Sequence, residues 1–348
     1  MSDADSRRPP VLLLTVAATV VLLVSLPIAT ALGATSIPWS EVVEVWRSRL
    51  QGVPSDATSD TIVWNIRAPR VLLAAIVGAG LAIAGTVVQT LVRNPLADPY
   101  LLGVSSGASV GATAVITLGV LSSTGTWALS VGAMIGAVVA AATVFGIAMG
   151  QGGLTPLRLV LTGTVLASAF SAIASYLVFR SEEPQAAQSV LFWLLGSLAR
   201  ASWEQLLLPV VATVLAALVI VVLRGWLDAL LAGPDVAASL GVPVARLRVA
   251  LFVLQALLVG VLVAVAGGIG FVGLIVPHVA RLLVGPLHGR MVPVAALVGA
   301  IFLVWVDVAA RTLATPQDIP LSVVTGVVGA PVFLVLLGRR RYRFGGES

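Results

Sequence analysis

The chain has 348 residues, of which 59% are hydrophobic and 10% charged, with a formal net charge of +5 at pH 7. A water-soluble domain of this size needs more charge on its surface, so the composition excludes a soluble protein and points to an integral membrane protein. The lack of cysteine excludes disulfides, thiolate metal sites and cysteine nucleophiles. All 20 basic residues are arginines in short segments, which reads as a topology signal rather than the mark of a nucleic-acid partner.

Crossing a bilayer core of about 30 Å takes roughly 17–25 apolar residues. Such runs fall at about 11–32, 68–92, 100–119, 127–149, 157–179, 204–223, 249–268, 270–284, 292–313 and 320–338. They predict an all-α fold of about ten transmembrane helices. The eighth run is short and is separated from the seventh by the sequence GGIG. Arg7 and Arg8 before the first run also fit a signal peptide, but the run is long for one and nine more follow. The expected organisation is one transmembrane domain over 1–348. It has cytoplasmic tails at 1–10 and 339–348, a ten-helix body at 11–338, and a weakly hydrophobic inner segment at 224–248.

With the N-terminus inside, the inner segments hold Arg7, Arg8, Arg93, Arg158, Arg224, Arg246, Arg248, Arg281, Arg290, Arg339, Arg340, Arg341 and Arg343. The outer segments hold Arg47, Arg49, Arg67, Arg70, Arg180, Arg200 and Arg311. This excess on one side predicts both termini in the cytoplasm.

After the second run comes RNPLADPYLLGVSSGAS, residues 93–109. Asn94–Pro95 and Asp98–Pro99 each place a capping side chain before a proline suited to the first helical position, predicting a tight inner corner that starts the third helix. The glycines and serines from Gly103 to Ser109 read first as close helix packing, and alternatively as a smooth wall for a wide passage. Further on, GPDVAASLGVPVARLR (233–248) predicts a short capped helix. Pro234 opens it, Asp235 complements its dipole and Gly241 closes it. A rigid, capped helix between spans reads as a docking element for a cytoplasmic partner.

Shifting the chain by 182 residues brings Gly78, Ala82, Ala84, Gly85, Pro95, Gly103 and Gly107 onto Gly260, Ala264, Ala266, Gly267, Pro277, Gly285 and Gly289. Spans 2–5 and 7–10 then form an inverted internal repeat, an arrangement of transporters whose pathway runs between the halves. In this reading Pro277 is a second helix-breaking corner. His278 would hydrogen-bond backbone groups the proline frees, Arg281 would reach the inner interface, and the stretch would act as a hinge rather than a ligand. In WVDVAAR, Asp307 and Arg311 stand at i and i+4, predicting an ion pair near the outer end of the ninth span. Arg67, Arg70 and Arg311 share the outer side, where they could meet acidic groups on a partner.

No metal, phosphate-loop or nucleophile motif is present, so energy must come from a partner or from an ion gradient. An ion-coupled secondary transporter would place ionisable residues near midplane, where Asp307 is nearly the sole candidate. A membrane enzyme would need a polar catalytic cluster that the sequence does not offer.

Four stretches, RAPRVLLAAIVGAGLAIAGTVVQTLVRNPLADPYLLGVSSGA, GPDVAASLGV, GFVGLIVPHVARLL and DIPLSVVTGVVGAPVFLVLL, extend over residues 67–338. In order and spacing they resemble the permease subunits of type II ATP-binding-cassette importers, the FecCD/BtuC-like family for iron–siderophores, haem and vitamin B12. The resemblance implies ten spans per subunit, a homodimer or a closely related partner permease, two ATPase subunits inside and an extracytoplasmic substrate-binding protein. ATP and magnesium would be bound by the ATPase subunits, with no cofactor in this chain. The segment containing Pro234, Asp235, Ala237, Leu240 and Gly241 would be the coupling helix, and Arg67, Arg70 and Arg311 would dock the binding protein. Spans three, five, eight and ten would line a passage at the dimer axis. Asp318 departs from the family, having DIP where ELP is usual, which conserves charge. The implied function is uptake across the bacterial inner membrane, most readily of a ferric siderophore, with haem or cobalamin as alternatives.

Overall fold

The computed structural model describes residues 10–53 and 58–339, apart from the side chains of 336–339. Arg7, Arg8, Arg340, Arg341 and Arg343, with nearly all of the two tails, lie outside the described residues.

Along the chain, α1 (Val11–Ala31) is followed by the amphipathic α2 (Trp39–Leu50). A short turn α3 (Thr58–Asp60), a π-helical turn (Thr61–Arg67) and α4 (Ala68–Leu91) then run on as one helical rod. A 3-10 turn (Pro99–Leu102) leads to α5 (Val104–Leu118), and a second (Ser122–Trp127) to α6 (Ala128–Gly150). Next come α7 (Pro156–Arg180), the short α8 (Ala186–Leu194), the long α9 (Trp203–Leu231) and the six-residue α10 (Pro234–Ser239). The chain closes with α11 (Val244–Ala266), α12 (Val272–Val284), α13 (His288–Thr312) and α14 (Leu321–Arg339). Among the described residues there is no strand.

Seven helices are long and apolar enough to cross a membrane, and three shorter apolar helices complete the series. All ten coincide with the apolar runs of the sequence. The α4 rod is the centre of the fold: 78% of its apolar window is buried, against 6% for α1, which stands at the periphery. α4 packs against α13, α9, α11 and α12, whereas α5, α6 and α7 form a second group.

Small residues make those contacts possible. Gly78 of α4 lies against the backbone of Gly299 in α13, and a side chain at either position would collide with the other's carbonyl. Gly107 and Gly111 of α5 meet Gly132 and Gly136 of α6 in the same way. This favours the packing reading of the Gly103–Ser109 stretch, at least for Gly107.

The repeat is visible in the contacts. The second span (α4) crosses the ninth (α13) at Gly78, and the seventh (α11) crosses the fourth (α6) where Gly260 faces Ala137. Gly78 and Gly260, matched by the 182-residue shift, thus serve equivalent crossings in the two halves. The equivalence ends a turn later. α4 continues past Gly85 to Leu91, whereas α11 stops at Ala266 and Gly267 takes φ +70°.

That break changes the reading of GFVGLIVPHVARLL. Pro277 does not form a corner, because it lies inside α12, with Val272–Pro277 and His278–Val284 on one helix. The change of direction falls earlier, at Gly267–Phe271, where three glycines leave the backbone free to turn and Phe271 itself has φ +69°. α12, at 13 residues, is about 20 Å long and cannot span the bilayer core alone.

Candidate functional site

The chain turns at α10, and this end of the molecule carries the expected docking element. Gly233 adopts φ +125°, Pro234 occupies the first turn with Asp235 beside it, and the short helix ends at Leu240. Gly241 at φ +82° lets the chain leave, with Gly241 N–H donating to Ala238 O at 2.9 Å and Val242 N–H to Ala237 O at 3.0 Å. Ala237 is fully buried and Val242 nearly so, which anchors the helix on its neighbours. The opposite face is open: Val236 is 46% exposed and Leu240 69% exposed. An exposed leucine on a capped, anchored helix is a surface that another protein can cover.

The corner after α4 is built from the two predicted caps. Asn94 Oδ1 accepts from Leu96 N–H at 2.9 Å, and Asp98 Oδ1 accepts from Tyr100 N–H at 2.8 Å with Pro99 at the first position of the 3-10 turn. Both predicted caps are made, but α5 starts only after Gly103, whose φ of +76° reverses the chain. Burial raises the Asp98 carboxyl from 3.8 to about 6, partly offset by the hydrogen bond from Tyr100 N–H.

Residues that the motifs did not single out hold this corner in place. Gln255 of α11, fully buried, donates to Pro99 O at 2.7 Å. Tyr100 Oη accepts from Ile269 N–H at 2.9 Å and donates to Ile269 O at 3.1 Å, stitching the corner to the α11–α12 break. Ser322, at the start of α14, accepts from Gly270 N–H and donates to Gly268 O at 2.7 Å. Its backbone N–H donates to Leu195 O at 2.9 Å, and Leu321 N–H to Gly196 O at 3.0 Å. Three interruptions of helix therefore satisfy one another's backbone groups, as a non-aqueous environment requires. The only signal available in the sequence was a lone amide in an oily run, as at Gln89 and Gln255.

Gln89 has the most partners. Pro277 has no N–H, so the carbonyl of Gly273, four residues earlier, loses its intrahelical donor. Gln89 Nε2 lies 3.4 Å from Gly273 O and 3.3 Å from Leu274 O, and its Oε1 accepts from Arg281 Nη2 at 2.9 Å. The freed carbonyl is thus served from α4, a source of partners that the sequence reading did not include. His278 is buried within α12 and lines, with Gln89, Thr90, Arg93, Pro95 and Arg281, a cavity of about 390 Å³.

At the far end, by α2, the three arginines expected to form an open docking patch are turned inward. Arg67 and Arg311 are each 5% exposed. Arg67 donates to Ala31 O at 2.8 Å, Thr30 O at 3.2 Å and Thr35 O at 2.6 Å, and Arg311 to Ala29 O at 2.7 Å. The carbonyls of Ala29, Thr30 and Ala31 are the terminal ones of α1, a helix with no basic residue in its own last turn, so two guanidiniums from other helices cap it. Arg70 is held by Asp307 at 2.8 Å and Asp318 at 2.7 Å. The predicted pair of Asp307 with Arg311 is present at 3.4 Å, but Arg70 is the nearer partner. The open patch is therefore corrected to a buried charge network joining α1, α4, α13 and the α13–α14 connection. The physical reason is the cost of leaving helix-end carbonyls and an intramembrane carboxylate without partners.

A membrane body that is helical throughout its described residues, with two inverted halves, broken helices meeting at their junction and a short capped helix exposed on one face, defines a transporter permease. The chain belongs to the FecCD transport family, which it matches over residues 20–339. It is 40% identical over 308 residues to the cobalamin import system permease protein BtuC of Halobacterium salinarum, covering 88% of this chain and 81% of that protein. It is also 40% identical over 292 residues to the hemin transport system permease protein HmuU of Yersinia pestis, covering 82% and 86%. Among solved structures, an ABC transporter of metal-chelate type in an inward-facing conformation superposes with a TM-score of 0.82 at 34% identity, over 94% of this chain and 99% of that one. Such permeases work with ATPase subunits and a substrate-binding protein.

Proposed function

We propose that this chain is the membrane subunit of an ATP-driven importer for a metal chelate, with a ferric siderophore as its expected cargo. The observation that carries the reading is α10, a capped helix with its buried side locked to the body and Leu240 presented outward. Movement of an ATPase seated on that helix would reach α9 and α11 directly, since both pack on it. Its relatives named for cobalamin and hemin, and the metal-chelate transporter it superposes on, support a metal complex as the substrate class. The assembly would be a homodimer in the cytoplasmic membrane, with both termini inside, two ATPases beneath and a binding protein above. Apolar side chains left exposed along α7, including Leu161, Val165 and Phe179 at 56%, 68% and 88%, and along α14, including Val327 at 71%, are available to a second copy and to lipid.

Reconstituting the permease with its ATPase and binding protein in proteoliposomes tests the reading. ATP-dependent accumulation of a ferric siderophore is expected, with haem and cobalamin assayed in parallel to identify the cargo. Accumulation driven by a proton or sodium gradient without ATP would overturn it.

A further inference from the structure

The second histidine of the chain has a more defined setting than the first. His288 opens α13 and is 2% exposed. Its backbone N–H donates to Asp228 Oδ1 at 2.9 Å, and its Nδ1 lies 2.6 Å from the same oxygen. On the other side of the ring, Nε2 shares a hydrogen bond of 2.9 Å with Thr90 Oγ1, which also bonds to Thr86 O at 2.9 Å. Asp228 stands in the last turn of α9, six residues before Pro234 opens the coupling helix, and Thr90 stands in the last turn of α4. One imidazole thus joins the stem of α10 to the first turn of α13 and to the end of the most buried helix. The carboxylate also sits at the N-terminus of α13, where the helix dipole favours negative charge.

The neighbouring residue on α4 extends the connection. Gln89 engages α12 through Arg281 and the Gly273 carbonyl, so the final turn of α4 distributes contacts to both α12 and α13. A displacement at α10 that moves Asp228 must move His288 and Thr90 with it or break two short hydrogen bonds to an imidazole that is 2% exposed. The buried ring has little solvent to replace its lost partners, so the connection behaves as a strut.

We propose that His288 is a positioning residue that transmits movement of the coupling helix to α4 and α13 through the chain Asp228–His288–Thr90. This rests on the reading of α10 as the ATPase docking helix and assigns the route by which that docking reaches the transport core.

The test uses the complete importer in nanodiscs and proteoliposomes, measuring assembly, basal ATPase rate, its stimulation by loaded binding protein, and uptake per ATP. Thr90→Val removes the Nε2 partner while keeping side-chain shape. His288→Asn keeps an amide near the Nδ1 position and loses the reach to Thr90, whereas His288→Gln keeps that reach. Thr90→Val and His288→Asn are each expected to assemble normally, to keep basal ATPase, and to lose about threefold or more in stimulation and in uptake per ATP. The double variant should be no worse than either single one, because both remove the same bond, and His288→Gln should recover part of the coupling. Unchanged stimulation in both single variants, additive losses in the double variant, or failure of Thr90→Val to assemble would each overturn the proposal, the last by marking the bond as a folding contact. If the wild-type complex shows no stimulation at all, the importer reading itself fails, so the two failures are distinguishable.

Discussion

Gln89 Nε2 lies 3.4 Å from the carbonyl of Gly273, the group that Pro277 deprives of its intrahelical donor. A residue on the second span therefore completes a helix that the sequence places 184 positions later. Gln89→Leu removes that donor and the acceptor used by Arg281. A loss of about 1–3 kcal/mol in unfolding free energy is expected in detergent. In a Pro277→Ala background the Gly273 carbonyl regains an internal donor, so the same substitution should cost measurably less. Equal costs in both backgrounds would refute the link.

Arg70 is the centre of the network at the α2 end, held by Asp307 and Asp318. Breaking a buried pair by removing one partner typically costs about 3–5 kcal/mol, because it strands the other charge. Arg70→Met should lower thermal stability by that order. Asp318→Asn, at a side chain that is itself 35% exposed, should cost far less. Asp307→Asn separately addresses ion coupling: uptake that still demands ATP after this change is expected, and uptake that loses ion dependence would argue for the secondary-transporter alternative.

Leu240→Glu alters a side chain that is 69% exposed and should leave the stability of the isolated permease within about 0.5 kcal/mol. Co-purification with the ATPase and stimulated hydrolysis should fall together. Normal assembly and transport by this variant would place the ATPase contact elsewhere.

The Asp98 carboxyl, raised to about 6 by burial, holds its proton more tightly in the folded state than the ordinary value of 3.8. The native state then binds more protons than the unfolded one between those values, so its contribution to stability declines as pH rises from about 4 to about 6 and is flat above. Asp98→Asn keeps an oxygen for Tyr100 N–H and removes the titration. Melting temperatures of the two proteins should diverge across that pH window, with the variant the more stable at neutral pH. Parallel melting profiles would contradict this.

Hydrophobic length and punctuation were enough to place every apolar helix, because a bilayer demands about twenty apolar residues from any helix that crosses it and glycine or proline where the chain turns. The caps at Asn94 and Asp98, the short helix at Pro234 and the Asp307–Arg311 pair were legible for the same reason, as each depends on residues a few positions apart. Long-range partnerships were not. Whether Arg67 and Arg311 face water or the end of α1 depends on where α1 lies, and nothing near them in the chain records it. Pro277 marks a broken hydrogen bond in the sequence, yet only the fold shows that Gln89 repairs it and that the turn falls at Gly267–Phe271 instead. The rare histidine that the motif brought forward, His278, sits inside a helix, while His288 joins its own helix to two others at contact points 60 and 198 residues away in sequence. Composition determined that this chain lives in a membrane and where its long apolar helices fall. Packing decided which of its few polar groups meet, because in a medium without water each must find its partner within the protein, however distant in the chain.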